Sequence, residues 1–336
     1  MIVDKTRRAA LERRVSGELV WDNHTCMPLH HADERFLPQL ESCHAAGIDL
    51  ITLNVAFGAT GIERPIRMLA LFRDWIARHA DRLCLVTSVE GARAAKKAGK
   101  LGICFDIEGM DAVADQPNLV RLYYDLGVRW MLITYNRANA AGGGCLDEPD
   151  TGLTAFGRRV IAEMNAVGMV LCCSHAGYRT AREAIDTSAD PVIFSHSNPR
   201  ALWNHPRNIP DELMRACAER GGVIGLNGLG VLLGLNDASI DHFVEHVEHA
   251  MSVVGENHVC IGLDYEYDQA GLAEMVASNP HLFPPEHFPH GSTLKMIPPW
   301  AVPDIAEALE KRGCSAQTIG KLLGGNLLRV AEQVWH

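Results

Sequence analysis

The sequence lacks the features that mark membrane-spanning, secreted and nucleic-acid-binding proteins. It has no stretch of 18 or more apolar residues, so no transmembrane helix is expected. Its N-terminal segment, MIVDKTRRAALERRVSGELVWD, lacks the apolar core of a secretory signal, so we expect a cytoplasmic protein whose ten cysteines are thiols. Lys and Arg number 31 against 41 Asp and Glu, giving a net charge of −10. This balance argues against nucleic acid or an anionic membrane surface as the main partner.

Short motifs that mark common enzyme classes are missing as well. No CxxC pair occurs, which argues against a structural zinc ribbon, and no HExxH occurs, which argues against a zincin. No GxSxG is present for a serine hydrolase. The three glycines at 142–144 lack the spacing of GxGxxG and GxxxxGK[ST], so we interpret them as a flexible loop rather than a phosphate-binding one.

What the sequence does contain is a regular alternation of short apolar runs and longer helical segments. Its 336 residues, 47% of them hydrophobic, can bury a large core. Nine runs predict strands: Glu18–Thr25, Ile48–Val55, Leu83–Ser88, Leu101–Ile107, Val128–Asn136, Met169–His175, Val192–Ser197, Val223–Leu226 and Val259–Asp264. Helices are predicted between them, such as Ile66–His79, Leu153–Val167, Asp211–Glu219 and Ile240–Val254.

Strand followed by helix, repeated along the whole chain, predicts a parallel α/β fold with the sheet covered by helices. A doubly wound open sheet would share this rhythm, but the first strand is not followed by the glycine-rich loop typical of that fold. We therefore predict a (β/α)8 TIM-type barrel, a single domain over residues 1–336, in which one of the nine strands is accessory. A proline-rich segment near 279–303 is expected to cap the active face.

Polar side chains end five of the predicted strands. His24, His175 and His196 end three of them, and Glu108 and Asp264 end two more. In a parallel barrel the carboxyl ends of the strands meet at one rim, where active sites are built. Three imidazoles and two or three carboxylates at one rim suit one or two divalent transition-metal ions, zinc first among them. A single histidine or carboxylate after a strand is more often an ordinary loop residue. The metal-site hypothesis therefore depends on finding such residues at the ends of five strands.

Other histidines carry less information. His242, His246 and His249 share one face of a predicted helix, but the interleaved glutamates indicate a solvated face rather than a metal site. His205 has no ligand spacing, and we expect it at the surface.

The strand ends also carry a family resemblance. From about Val20 to Val330 the chain resembles the membrane (renal) dipeptidase-type metallopeptidases, the M19 family of metal-dependent, amidohydrolase-like barrels. Each matching piece is short, but their shared order and spacing make the set specific. The pieces are DNH (22–24), IEG (107–109), LITYN (132–136), GLTAFG (152–157), CSH (173–175), SHS (195–197), RNIPD (207–211), IGLD (261–264) and GGNLLRV (324–330).

The resemblance implies a zinc-dependent dipeptidase with a binuclear site. His24 and Cys26 would hold one ion and His175 and His196 the other, with Glu108 bridging them. Asp264 would orient the attacking water and take its proton. Arg207 would bind the terminal carboxylate of the substrate, because its guanidinium fork matches a carboxylate in geometry and charge.

Two positions depart from the family pattern. The family has His-x-Asp where this chain has His24-Thr25-Cys26, so a thiol replaces a metal-binding carboxylate, with Asp22 as a possible substitute ligand. Tyr135 stands where the family has a histidine that contacts the substrate, and its phenol can donate a hydrogen bond to an oxyanion.

These departures leave two alternatives beside a dipeptidase that uses one or two zinc ions. One is a mono-metal hydrolase that acts on another amide, imide or lactone. The other is a degenerate, non-catalytic binding protein. The expected partner is a dipeptide or another small molecule, and a homodimer is possible.

Overall fold

Ten parallel strands form one curled sheet. The computed structural model describes residues 5–289 and 294–336, with side chains from residue 7 onward. Neighbouring strands pair in the order β10-β1-β2-β4-β5-β6-β7-β8-β9. Their bounds are β1 Trp21–Cys26, β2 Leu50–Phe57, β3 Leu83–Leu85, β4 Leu101–Glu108, β5 Val128–Leu132, β6 Val170–Cys172, β7 Ile193–Phe194, β8 Val223–Leu226, β9 Val259–Ile261 and β10 Tyr265–Glu266.

The sheet closes between its last strands and its first. The segment that leaves β9 donates from the backbone N–H of Leu263 to Asp22 Oδ1 (3.0 Å), and β10 then pairs with the end of β1. Each of the nine predicted runs overlaps a strand. The accessory strand is β3. It pairs with β4 but is not one of the nine strands that follow one another around the sheet. The two-residue strand β10 was not predicted.

Helices connect the strands and cover the outside of the sheet. Two of the four predicted ranges, Asp211–Glu219 and Ile240–Val254, are helical with the expected bounds. The helices are α1 Lys5–Arg14, α2 Leu40–Ala46, α3 Glu63–Arg78, α4 Val89–Lys97, α5 Leu119–Asp125, α6 Ala155–Val167, α7 Tyr178–Thr187, α8 Asp211–Glu219, α9 Gly230–Leu233, α10 Ile240–Val254, α11 Gln269–Ser278, α12 Val302–Lys311, α13 Ala316–Gly320 and α14 Asn326–Val334. Over residues 5–289 and 294–336, no helix has the length and apolar character needed to cross a membrane.

Side-chain hydrogen bonds fix where several helices begin. The side chains of Ser88, Thr154, Ser239, Asp268 and Ser315 each accept a hydrogen bond from the backbone N–H three residues further on. Such N-caps satisfy backbone donors that the first turn of a helix leaves unpaired. The sequence thus sets the point at which the chain turns from a strand-end loop into a covering helix.

Strand β4 shows how the core and the rim arise from one alternating sequence. All eight of its residues are buried. Ile103, Phe105 and Ile107 pack in the main apolar core beneath the helices, whereas Asp106 and Glu108 point to the other side. Because alternate residues of a strand face opposite sides of a sheet, the core and the acidic pair are built by the same strand.

An irregularity in β1 separates Asp22 from His24. Between Asp22 and Thr25 the strand advances three residues while β2 advances two, from Ile51 to Leu53. This extra residue interrupts the alternation of faces, as β-bulges near active sites do. Asp22 accepts a hydrogen bond from the Leu263 backbone. It belongs to neither of the two groups of described residues that could hold a metal ion, the group of His24, Glu108 and His196 and the group of His24, Cys26 and Asp264. The structure therefore does not support Asp22 as a substitute ligand.

Candidate metal centre

The five strand-end residues lie together at one rim. Glu108 Oε1 is 3.6 Å from His24 Nε2, 3.3 Å from His175 Nε2 and 3.1 Å from His196 Nε2. Asp264 Oδ1 is 3.3 Å from His24 Nε2. The four groups around the central Glu108 come from β1 and from the segments after β6, β7 and β9, so closure of the barrel assembles the cluster.

His24 is held by a carboxylate on its far side. Its Nδ1 lies 3.0 Å from Asp106 Oδ2, and Asp106 Oδ1 accepts a hydrogen bond from Asn54 Nδ2 (2.7 Å). Burial disfavours a charged imidazole, but the nearby Asp106, Cys26 and Glu108 outweigh it and raise the pKa of His24 well above its usual value. The surroundings of Nε2 therefore favour positive charge, whether from a proton or from a metal ion.

His175 and His196 are buried imidazoles that face each other. Their Nε2 atoms are 2.9 Å apart, and burial lowers the pKa of both rings well below the usual value. Nδ1 of His175 is 2.7 Å from the Asn136 amide oxygen, which can only accept, so the Nε2 lone pair points into the cluster. Nδ1 of His196 lies 2.7 Å from Ser195 Oγ.

The donor set fits a divalent metal ion. Glu108 Oε1 is buried and has no hydrogen-bond partner among the residues that the structure describes. A buried acceptor without a donor is costly, and lone pairs of imidazole nitrogens that converge on a carboxylate oxygen repel one another. A cation between them would satisfy all of these atoms, and imidazole with carboxylate is a ligand set typical of zinc.

Cys26 lies in a second ligand group, beside His24. Its Sγ is 3.5 Å from His24 Nε2 and 3.7 Å from Asp264 Oδ1, and these three side chains could hold an ion together. Burial raises the pKa of the Cys26 thiol well above its usual value. A metal bound here would have to displace the thiol proton, because the thiolate is the ligand form. Asp264 is itself held through Oδ2 by Asn227 Nδ2 at 2.8 Å.

Three residues of the site adopt left-handed backbone conformations. Asn136, His175 and Asp264 have φ values of 57°, 64° and 58°. Such values are uncommon for residues other than glycine and cost of order 1–3 kcal/mol each. Backbone strain of this kind clusters at functional sites, where the surrounding structure enforces it. In this chain it directs two cluster side chains and the asparagine that orients one of them.

Tyr135 and Arg207 flank the cluster in different ways. The Tyr135 ring stacks on His175 at a centroid distance of 4.3 Å. Arg207 is 3% exposed and donates from Nη2 to the backbone oxygen of His196 at 3.3 Å. Its Nη1 is buried without a hydrogen-bond partner in the described parts of the chain. Arg207 therefore keeps an unused donor close to the imidazoles, but it does not line the cavity above them.

A cavity opens above the cluster. Its floor, as we call it, consists of Cys26, Glu108, His175 and Asp264. Apolar residues line it from several parts of the chain, among them Met27, Leu29, Phe57 and Leu229. We call its wall the seven that come from α11 and the segment after it: Leu272, Met275, Val276, Phe283, Phe288, Leu294 and Met296. This segment belongs to the expected capping loop, of which residues 290–293 lie outside the described residues.

Three groups that hold the cluster had no role in the sequence analysis. Asp106 holds His24, Asn136 orients His175, and Asn227 holds Asp264. A signal for the first was present, because Asp106 lies two residues before Glu108 and so shares its strand face. Asn136 was part of a matching motif without an assigned role. Nothing in the sequence placed Asn227 beside a residue 37 positions away.

Two expectations about other residues were wrong. His205 is buried, not at the surface: its Nδ1 accepts from the Arg207 backbone and its Nε2 lies 3.1 Å from the His287 backbone oxygen. The loop at 142–144 is buried and hydrogen-bonded rather than flexible. A Cβ atom on Gly144 would lie 2.3 Å from the Asn136 backbone oxygen, so glycine is needed there for a close backbone approach.

The histidines of α10 form no metal site in the described chain. Their face is not uniformly solvated, because His246 is buried, with Nε2 2.9 Å from the Leu233 backbone oxygen. His249 pairs with Asp211 at 3.0 Å. All ten cysteines, each of which the structure describes, are free thiols, as expected.

Comparisons with known proteins agree with this geometry. The chain is 28% identical to an amidohydrolase from Pseudomonas aeruginosa of known crystal structure, which it matches with a TM-score of 0.86 over 97% of this chain and 99% of that one. It is 30% identical to an uncharacterized dipeptidase of Schizosaccharomyces pombe over 81% of this chain and 62% of the relative. It is 27% identical to a dipeptidase of Clonostachys rogersoniana over 95% and 73%.

The structural match confirms the predicted TIM-type metallohydrolase barrel. The chain spans 62% and 51% of the lengths of two dipeptidases of S. pombe that it matches. The family model for membrane dipeptidases (peptidase family M19) matches residues 39–282, which include Glu108, His175 and His196. The chain therefore belongs to the membrane dipeptidase family, peptidase family M19.

Proposed function

We propose that this protein is a zinc-dependent dipeptidase that hydrolyses the amide bond of small dipeptides. The observation that carries the proposal is the convergence of three imidazole Nε2 atoms on Glu108 Oε1, an atom with no hydrogen-bond partner in the described chain. Membership of the M19 family and relatives that are named dipeptidases support it.

Two groups of described residues could hold a metal ion, the group of His24, Cys26 and Asp264 and the group of His24, Glu108 and His196, and they share His24. We propose that His175 and His196 hold one ion, that His24 and Cys26 hold the other, and that Glu108 lies between them. When bound, a divalent metal ion supplies a Lewis acid and lowers the pKa of water toward neutrality, so that water can act as a nucleophile. The buried, water-poor surroundings of the cluster strengthen such electrostatic effects.

The remaining roles belong to side chains around the cluster. Asp264, held by Asn227, would accept the proton of the attacking water and pass it to the leaving amine. The Tyr135 phenol would donate a hydrogen bond to the oxygen that becomes negative in the transition state. Arg207 would use its unpartnered Nη1 to bind the terminal carboxylate of the substrate.

The direct test combines metal analysis with a panel of dipeptides. The purified protein should contain zinc, hydrolyse at least one dipeptide, lose this activity with a chelator and regain it when zinc is restored. Hydrolysis that a chelator leaves unchanged would contradict the proposal. So would a complete lack of hydrolysis by the zinc-loaded protein.

The role of Cys26 can be tested without measuring activity. Cobalt bound by a thiolate gives a sulfur-to-metal charge-transfer absorption. The cobalt-loaded natural protein should show this band, and the Cys26→Asp variant should lose it while it keeps the metal. Cys314→Ala, which changes a thiol outside both ligand groups, is the matched control and should keep the band. A band that persists in Cys26→Asp would exclude Cys26 as a ligand.

A mono-metal hydrolase of another amide, imide or lactone is the second candidate. It is favoured by Cys26, a thiol at the position where the family has a metal-binding carboxylate. A metal-to-protein ratio near one that His24→Ala leaves unchanged would select this candidate. If dipeptide hydrolysis appears only in the double variant Cys26→Asp, Tyr135→His, the natural chain is not a dipeptidase. The cytoplasmic location and a homodimer stay predictions.

A further inference from the structure

The wall of the cavity comes from one short stretch of the chain. Leu272, Met275 and Val276 lie at positions i, i+3 and i+4 of α11, so they share one helix face. Phe283 and Phe288, in the segment after α11, contact each other edge to face at a centroid distance of 5.4 Å. The stretch therefore presents an apolar surface to the cavity.

Part of this apolar surface is not covered by the residues that the structure describes. Val276, Phe283 and Phe288 are buried, and they form the centre of a small apolar cluster separate from the main core. Leu272, Met275 and Leu294 pack against that cluster but keep part of their surface exposed, and all three line the cavity. Exposed apolar surface inside a concave site is typical of a surface that a ligand covers.

The wall is continuous with the floor. Tyr135 joins them, because its ring stacks on His175 and lies 6.2 Å, edge to face, from Phe283. The same cavity is lined by Glu108, Asp264 and the wall residues. A small amide whose scissile bond lies over the floor would therefore place a substituent against the wall.

We propose that the wall binds a large apolar side chain of the substrate, so that the site selects dipeptides with a leucine-, methionine- or phenylalanine-like residue. This inference rests on the proposed function and adds a substrate class to it. Glycine and alanine dipeptides would leave the wall in contact with water, and no free energy would be gained from covering it. A leucine-sized group should bind at least about ten times more tightly than a methyl group, because each methylene buried in an apolar pocket adds to discrimination.

Binding can be separated from hydrolysis with phosphinate analogues, in which a phosphinate replaces the scissile amide of a dipeptide. One series varies the side chain of the N-terminal residue (hydrogen, methyl, isobutyl or benzyl) and keeps methyl on the C-terminal residue. A second series varies the C-terminal side chain in the same way and keeps methyl on the N-terminal residue. Calorimetry on the zinc-loaded protein gives the dissociation constants, and the matching dipeptides are assayed for hydrolysis. At one of the two positions, isobutyl or benzyl should bind at least about tenfold more tightly than methyl.

Variants then connect the preference to the wall. Leu272→Gln and Met275→Gln place amides on partly exposed positions, so folding should be preserved, as the melting temperature will show. Each should reduce the preference to less than about threefold, and Met275→Leu should retain it. Leu122→Gln is the matched control, because Leu122 is 43% exposed on α5 and does not line the cavity. Its preference should equal that of the natural protein.

The outcomes distinguish this inference from the proposed function. Hydrolysis of dipeptides without any apolar preference overturns the inference and leaves the dipeptidase proposal standing. A preference in analogue binding that the wall variants reduce supports the inference, even if no dipeptide is hydrolysed, which would overturn the proposed activity. A preference that the wall variants leave unchanged overturns the inference, and binding of no analogue overturns both.

Discussion

The floor and the wall of the cavity are built by different means. The floor comes from the ends of strands that are distant in sequence, and its His175 and Asp264 are held by amides and by strained backbone. The wall comes from one contiguous stretch and is held by apolar contacts. The comparison shows where each property of the site resides: the strand ends of the barrel position the proposed metal ligands, whereas α11 and the segment after it supply the surface that would select a substrate.

The largest effect should come from removing the central charge of the floor. Glu108→Gln keeps the shape of the side chain but removes the carboxylate on which three imidazoles converge. Metal content should fall, and kcat should drop by more than about 1,000-fold. Metal analysis and steady-state kinetics measure both.

Glu266→Gln is the matched control for that change, because Glu266 also lines the cavity and burial also raises its pKa, to about 8. It should leave the metal content unchanged. If both variants lose metal equally, metal binding also depends on Glu266, which lies outside the floor.

A smaller effect should come from Tyr135, which belongs to neither region alone. Tyr135→Phe removes the phenol and keeps the ring that stacks on His175. If the phenol stabilises the transition state, kcat should fall about 100-fold with little change in KM, and the metal content should stay the same. An increase in KM alone would instead assign Tyr135 to substrate binding with the wall.

A still smaller effect should follow from loosening the support of one ligand. Asn136→Ala removes the amide that fixes the orientation of His175, so zinc affinity should fall about 10- to 100-fold. Competition with a chelator of known affinity measures this change. Asn165→Ala, which removes a hydrogen-bonded amide on α6 away from the site, should leave the affinity unaltered. Equal losses in the two variants would show that the effect is one of general stability.

The smallest effect should come from the wall. Phe283→Leu shortens an aromatic side chain that contacts Tyr135 and Phe288. Selectivity between apolar substrates should change by less than about tenfold, with zinc content unchanged. Loss of zinc in this variant would show that the wall also supports metal binding, so that the wall and the floor are not independent regions.

The alternation of apolar runs with helical segments was sufficient to predict the strands and the α/β class, because period and composition are local properties. The strand-end rule brought His24, Glu108, His175, His196 and Asp264 to one rim for the same reason: a parallel barrel aligns its strand ends. Which of the nine strands is accessory was not predictable, because β3 differs from the others in its pairing rather than in its composition.

The rest of the site depends on contacts between distant segments. The register irregularity in β1 removed Asp22 from the face of His24, and no alternating pattern could show it. His205 was misplaced because burial beside Arg207 arises from the path of a loop. The three glycines at 142–144 suggested flexibility, whereas Gly144 is required because its Cα lies close to the Asn136 backbone.

The left-handed backbone at Asn136, His175 and Asp264 sets a limit on engineering this protein. A stabilising programme would select these positions early, because glycine adopts positive φ without strain. Yet glycine there would delete the imidazole that faces the cluster, the amide that aims it or the carboxylate beside it. At these three positions a substitution that raises thermal stability would remove a side chain of the site. Stabilising substitutions should therefore be sought in the outer helices.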